Sequence, residues 1–249
     1  METVYAPPTD PLVFLYDDAD IVVVDKPAGL LSVPGRGDHL ADCLITRLQA
    51  VFPTALVVHR LDRDTSGVMV FALSPHAQRT LSTQFAERKT QKAYVALVQG
   101  DPAQDKGTVD LPVIVDWPNR PLQKVCHETG KPAVTDWRVV KRHGDSARMR
   151  LVPHTGRTHQ LRVHMLALGH PILGDPFYAR RRAAREAPRE RQVDPFSRQG
   201  TVLGLSADAD PAGGQNVGVG HRRICKPPRG ACHDTVRGFA QPRRPPTER

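Results

Sequence analysis

Residues 59–67 read His59-Arg60-Leu61-Asp62-Arg63-Asp64-Thr65-Ser66-Gly67, the densest run of polar side chains in the sequence. A carboxylate set between arginines stays ionised, which suits Asp62 to act as a nucleophile or as a stabiliser of positive charge. The plainer reading is that Asp62 caps a turn while Arg60 and Arg63 face water. Two familiar chemistries do not fit. A kinase catalytic loop needs Asp directly after His-Arg, and Leu61 intervenes here. Asp64-Thr65-Ser66-Gly67 resembles half of an aspartic protease dyad, but that chemistry needs two such segments and one is present.

A second cluster runs from Thr155 to Met165 and holds Arg157, His159, Arg162 and His164 at the start of an amphipathic stretch. Backbone N–H groups at such a start favour anions, so the cluster can clamp RNA phosphates and hold a carboxylate; it can equally be an ordinary capped surface helix. His159 and His164 are five apart, not the four that sets two metal ligands on one helical face. Zinc is not expected there. Tyr94, in Lys92-Ala93-Tyr94, heads a strand, where it can stack on a base or simply pack in a sheet. His221, Cys225, Cys232 and His233 match no standard zinc spacing.

These groups must be carried by ordered elements. Val13–Tyr16 and Ile21–Val24 read as strands parted by an acidic turn, and Pro27 to Gly37 as an extended loop. Asp38 is positioned to cap a helix with Leu40, Leu44, Leu48 and Phe52 on one face. Leu56–Val58 and Val68–Leu73 are strands on either side of the Asp62 loop. Ser74-Pro75 opens a helix bearing Ala77, Leu81 and Phe85. Strands are expected over Lys92–Gln99, Thr108–Val115, Ala133–Val140 and Ala147–Val152. Thr155 is expected to start a helix that ends at Gly169. Without a regular βαβ alternation, this order predicts an α+β fold with a mixed, largely antiparallel sheet and flanking helices.

The chain has 249 residues, 39% hydrophobic and 24% charged, as in ordinary globular proteins. No apolar run approaches the ~20 residues of a membrane helix. Nothing up to Pro11 resembles a secretory signal, and four scattered cysteines suit a reducing compartment; the cytoplasm is the expected location. The net charge of +9 is unevenly spread. Residues 1–179 carry 20 Lys and Arg against 19 Asp and Glu, whereas 180–249 carry 15 against 7. RNA binding by the first part must therefore rest on local clusters rather than on overall pI.

Taken in order, these segments resemble the RluA family of RNA pseudouridine synthases. The resemblance rests on Asp25-Lys26-Pro27-Ala28-Gly29-Leu30, on HRLDRDTSGVMVFAL from His59, on Lys92-Ala93-Tyr94, and on TGRTHQLRVHMLALGHPILGD from Thr155. Asp116-Trp117-Pro118-Asn119-Arg120-Pro121, Lys124-Val125-Cys126 and Glu128-Thr129-Gly130-Lys131-Pro132-Ala133 extend it to the dual-specificity branch, which acts on the tRNA anticodon loop and 23S rRNA. The likeness spans about Asp10 to Ala179. It implies an isomerisation in which a flipped uridine loses its N1–C1′ bond, rotates and rejoins through C5. By similarity, Asp62 is the nucleophile, toward either the uracil ring or the ribose carbon. Arg162 pairs with it, and Tyr94 lies against the base and assists proton removal from C5. Arg60 fills the vacated place in the RNA stack. His59, Arg63, Lys124, Lys131 and Arg157 join Arg60 as expected RNA contacts. No metal, nucleotide or redox cofactor is implied, and a monomer acting without a membrane is expected.

The likeness breaks after Tyr178. Where the family continues into a leucine-rich stretch and a final strand, this chain reads Arg185-Glu186-Ala187-Pro188-Arg189-Glu190-Arg191, and 8 Pro and 8 Gly fall within residues 180–249. Residues 1–179 are thus expected to be the catalytic domain lacking that last segment, and 180–249 a disordered basic tail or the product of a shifted reading frame. Three activities remain distinguishable by product: a synthase yields pseudouridine, an RNA glycosidase using Asp64 as second carboxylate yields free uracil, and a degenerate or truncated RNA-binding relative leaves RNA unchanged.

Overall fold

The computed structural model describes residues 5–179 and 200–202, the latter through their backbone. Its centre is one nine-stranded sheet, built from β1 (Val13–Asp17), β2 (Ile21–Lys26), β3 (Leu56–Val57), β4 (Ser66–Ala72), β5 (Ala93–Gln99), β6 (Lys106–Asp110), β9 (Val134–Arg142), β10 (Ser146–Pro153) and β11 (Gly200–Val202). The order is β1-β2-β4-β11-β5-β10-β9-β6, with β3 also pairing β4. Every pairing is antiparallel except β11 with β4, so the α+β expectation holds. A separate hairpin joins β7 (Val113–Val115) to β8 (Gln123–Val125).

Among the described residues three α-helices cover the sheet, and their apolar stripes explain where. On α1 (Leu44–Gln49), Leu44, Ile45 and Leu48 pack on Val22, Val24, Met69 and Phe71. On α2 (Pro75–Ala86), Leu81 and Phe85 pack against Ile21, Val23 and Val70. Because β2 and β4 are covered on both faces, they read as continuous apolar runs rather than alternating ones. On α3 (Gln160–Ala167), Met165 is buried against Ala96, Met149 and Leu151 of the other half-sheet.

Four expectations need correction. The helix expected from Asp38 begins after Cys43 instead; Asp38–Leu40 is a short 3-10 turn, and Thr46 supplies the capping bond to the Cys43 amide. The strand expected over Thr108–Val115 is broken at Leu111-Pro112, since proline cannot donate to a ladder, and its second piece pairs with β8, which the sequence pattern did not suggest. The helix expected from Thr155 starts five residues later. Gln160 is buried and ties the intervening loop down: its Oε1 accepts from Thr155 and from the Arg157 amide, while its Nε2 donates to the Val134 carbonyl. Finally, no strand was expected beyond residue 179, yet Gly200–Val202 forms β11. It enters between β4 and β5, pairing with Ser66 and Gly67 on one side and with Ala93 and Tyr94 on the other. The rest of the expected tail, with its histidines and cysteines, lies outside the described residues.

Candidate active site

Asp62 sits in the turn entering β4, and two features fix that turn before any catalytic partner is considered. The Ser32 hydroxyl donates to the Leu61 carbonyl at 2.7 Å and accepts from the Leu61 amide. Behind it, the fully buried Lys26 ammonium donates to three carbonyls, those of Pro27, Leu30 and Arg63, at 2.8, 2.7 and 3.0 Å. Burial lowers the Lys26 pKa to about 8, against the opposing pull of Asp64, Asp62 and Asp25. Three N–H donors meeting three carbonyls satisfy the ammonium completely. They also bind the 27–30 loop to the nucleophile loop, with a further bond from the Gly29 amide to the Arg63 carbonyl at 2.9 Å.

The carboxylate itself meets α3. Arg162 donates through one Nη to Asp62 Oδ2 at 3.1 Å, and through Nε and its other Nη to Asp175 at 2.7 Å each. Asp175 is buried, and its Oδ1 also accepts from the Phe177 and Tyr178 amides at 2.9 and 3.1 Å. Arg162 thus stands between a buried carboxylate that orients it and a partly open one, its side chain 14% exposed against 26% for Asp62. Both partners raise its pKa against the opposing cost of burial, and it remains cationic. The His159 Nε2 lies 3.8 Å from the same Asp62 oxygen. Among the described residues, no group bonds Asp62 Oδ1.

Tyr94, on β5, packs against both halves of the core. Burial, and next the negative charge of Asp62, push its phenol up to about 12, so it holds its proton at neutral pH. The sequence-predicted trio of Asp62, Tyr94 and Arg162 is therefore brought to one place.

The expected RNA contacts divide. Arg60 is exposed beside the nucleophile, while Arg63 is bound to Asp64 at 2.9 Å. Lys124 and Lys131 are exposed on and beside the β7–β8 hairpin, where Val113 bridges Lys131 and Ile114 pairs with Lys124. Arg157 joins them through a bond from Nε to the Pro132 carbonyl at 3.1 Å. His59 does not join either group. Its ring stacks on Phe85 at 4.7 Å and its Nε2 accepts from the Val70 amide at 3.1 Å. Desolvation, with Lys92 nearby, lowers its pKa to about 4, so it is a neutral packing residue rather than a phosphate ligand.

Sequence reasoning passed over three contributors, Lys26, Asp175 and Tyr178, and took His159 only as one member of the cluster that starts at Thr155. Lys26 and Asp175 lie inside quoted motif strings, and their burial is what gives them a role. The hairpin tip also carries Trp117, 62% exposed, with the Arg120 guanidinium 3.2 Å over its ring centre. Exposed aromatic–arginine pairs of this kind suit stacking on nucleic-acid bases. Among the described residues no group of three or more His, Cys, Asp or Glu side chains could hold a metal ion.

Comparison with known proteins points to one family. Residues 20–167 match the family described as RNA pseudouridylate synthase. The chain is 59% identical over 187 residues to the dual-specificity RNA pseudouridine synthase RluA of Escherichia coli K12, covering 74% of this chain and 85% of that one. It is 55% identical over 181 residues to the protein of the same name from Vibrio vulnificus, covering 70% and 72%. Among solved structures, human RNA pseudouridylate synthase domain containing 1 superposes with a TM-score of 0.64 at 30% identity, covering 82% of each chain. With the family model spanning more than half the sequence, the chain belongs to the RNA pseudouridylate synthase family.

Proposed function

We propose that this protein isomerises specific uridines to pseudouridine in two RNAs, the tRNA anticodon loop and 23S rRNA, with Asp62 as nucleophile. The observation that carries the mechanism is the Asp62–Arg162–Asp175 array. Arg162 occupies Asp62 Oδ2 and keeps its charge balanced, which leaves Oδ1 as the attacking oxygen. The target uridine must leave its stack to reach a carboxylate at the foot of a loop, and Arg60, exposed beside it, fills the vacated place. In the reaction the N1–C1′ bond breaks, the uracil turns, C5 bonds to C1′, the C5 proton leaves to solvent and N1 takes up a proton in its place. Asp62 holds the fragment as a covalent partner on either the ring or C1′. Because its phenol holds its proton at neutral pH, Tyr94 acts first by lying against the base.

Arg60 and Arg63 at the loop, with Lys124, Lys131 and Arg157 at the hairpin, supply the phosphate contacts that the nearly neutral first 179 residues need. Recognition through loop shape and splayed bases fits two different RNAs. All these groups fall within 1–179, which we take as the catalytic domain. A monomer acting in the cytoplasm completes the proposal; among the described residues Cys43 and Cys126 are free thiols, which suits a reducing compartment. No described helix is long and apolar enough to cross a membrane.

Unmodified tRNA and 23S transcripts carrying tritium at uridine C5 test this. Wild type should release tritium from both and leave pseudouridine, whereas Asp62→Asn should bind RNA and release none. Release of free uracil would make the protein a glycosidase. Turnover by Asp62→Asn would remove Asp62 as nucleophile, and reaction with one RNA alone would end the dual specificity.

A further inference from the structure

His159 has an unusual address. It precedes α3 in the left-handed region, with φ of 53°, a conformation that costs most non-glycine residues energy. The ring is held there by a T-shaped contact with Tyr178 and a hydrogen bond between its Nδ1 and the Tyr178 hydroxyl at 2.8 Å. That hydroxyl is spoken for on its other side. The Gln123 amide of β8 donates to it at 2.8 Å. A backbone N–H can only donate, so the tyrosine oxygen accepts there and its own proton needs an acceptor. Tyr178 is 1% exposed, and among the described residues the only acceptor bonded to its hydroxyl is His159 Nδ1. Nδ1 is therefore the unprotonated nitrogen, and the ring's proton sits on Nε2.

Nε2 is the atom that faces Asp62 Oδ2 at 3.8 Å. That gap is too long for a hydrogen bond, but catalytic hydrogen bonds commonly tighten when substrate expels water. We propose that His159 is a positioning residue for the nucleophile. Its tautomer is set by the Gln123 amide through Tyr178, and it gives Asp62 Oδ2 a second donor beside Arg162 when RNA fills the site. The arrangement leaves Oδ1 free for attack and restrains the carboxylate from turning. The other charged groups facing the ring are Asp175, Arg60 and Arg162. Burial is the largest influence on the ring and disfavours its charged form, so the donor is a neutral one that does not quench the carboxylate. Because Gln123 belongs to the β7–β8 hairpin, the relay also couples that basic hairpin to the held oxygen of the nucleophile, Oδ2.

This inference rests on Asp62 being the nucleophile, and the test separates the two. His159→Gln keeps a donor with the reach of Nε2 but fits the left-handed backbone poorly. His159→Asn accepts that backbone well, and its amide reaches only the place of Nδ1. Thermal melts and single-turnover tritium release are measured for both, on an RNA that wild type modifies. The expected orders are crossed: Asn at least as stable as Gln, yet slower than Gln by about 10- to 100-fold, the range for one hydrogen bond to a charged group, with RNA affinity unchanged. Equal rates for Gln and Asn, at any level, or rates that follow stability, overturn the role of His159. A wild type that releases no tritium overturns the reading of the protein itself.

Discussion

Replacing Asp175 with Asn changes one atom and no volume, which makes it a clean probe of how the site is held. In the native array, Asp175 Oδ2 accepts from Arg162 Nε, and Oδ1 accepts from the other Arg162 nitrogen and from two backbone amides. The amide retains most of this by putting its oxygen at the Oδ1 position. Its NH2 then faces Arg162 Nε–H, donor against donor, and the guanidinium loses its buried counter-charge. Removing one partner of a buried ion pair costs about 3–5 kcal/mol, and since Asp62 still balances Arg162, a loss near the lower end, about 3 kcal/mol, is expected. At roughly 2–4 °C per kcal/mol for a domain of this size, the melting temperature should fall by about 6–12 °C. At 25 °C the variant should remain folded, and single-turnover tritium release should slow by at least about 10-fold, because a turned guanidinium no longer presents Asp62. Circular-dichroism melts and tritium release read the two effects. A shift of under about 2 °C with an unchanged rate would refute the claim that Asp175 orients Arg162.

Arg162→Met and Asp62→Ala should each remove nearly all activity, and the double variant should be little worse than either; additive losses would show that the two do not work as one unit. RNA affinity should fall with rising salt, and Lys124→Ala should lower the slope of log K against log salt by about 0.7, one phosphate contact to a single strand, whereas Trp117→Ala should weaken binding without changing the slope. His59 has a folded pKa of about 4 against an unfolded value near 6.5, so the unfolded chain binds the extra proton between those values and stability must fall as pH drops through that window. Its share is about 3 kcal/mol at 1.36 kcal/mol per pKa unit. His159 and His164 are lowered too and add to the same fall, so the check is the difference between wild type and His59→Gln in chemical denaturation from pH 7 to pH 4.

The sheet and its helices were legible because their cores obey simple periods. Ile21–Val24 and Val68–Leu73 are unbroken apolar runs, and Ala77, Leu81 and Phe85 recur at helical spacing. The Asp62 loop was legible because its polar density interrupts two such runs. Element starts set by a single buried polar side chain were not: Gln160, whose four side-chain bonds delay α3, looks like any exposed glutamine in sequence. His59 misled for the converse reason. A histidine beside Arg60 suggests a phosphate ligand, while its stacking on Phe85 depends on a helix that begins sixteen residues later. Asp175 and Tyr178 acquire their roles through Arg162 and His159, pairings thirteen and nineteen residues apart that no local pattern encodes.

The three-residue strand β11 has a consequence for the birth of the enzyme. Neighbouring strands β4 and β5 do not pair with each other; each pairs with Gly200–Val202. The loop of Asp62 belongs to one half of the sheet and Tyr94 to the other. During synthesis both halves can form long before residue 202 exists, since each half pairs its own strands without it. The sheet closes between them only when this late segment arrives. Ribosomes that stop short of it would release two well-made half-sheets whose reacting groups have no backbone seam to set their separation.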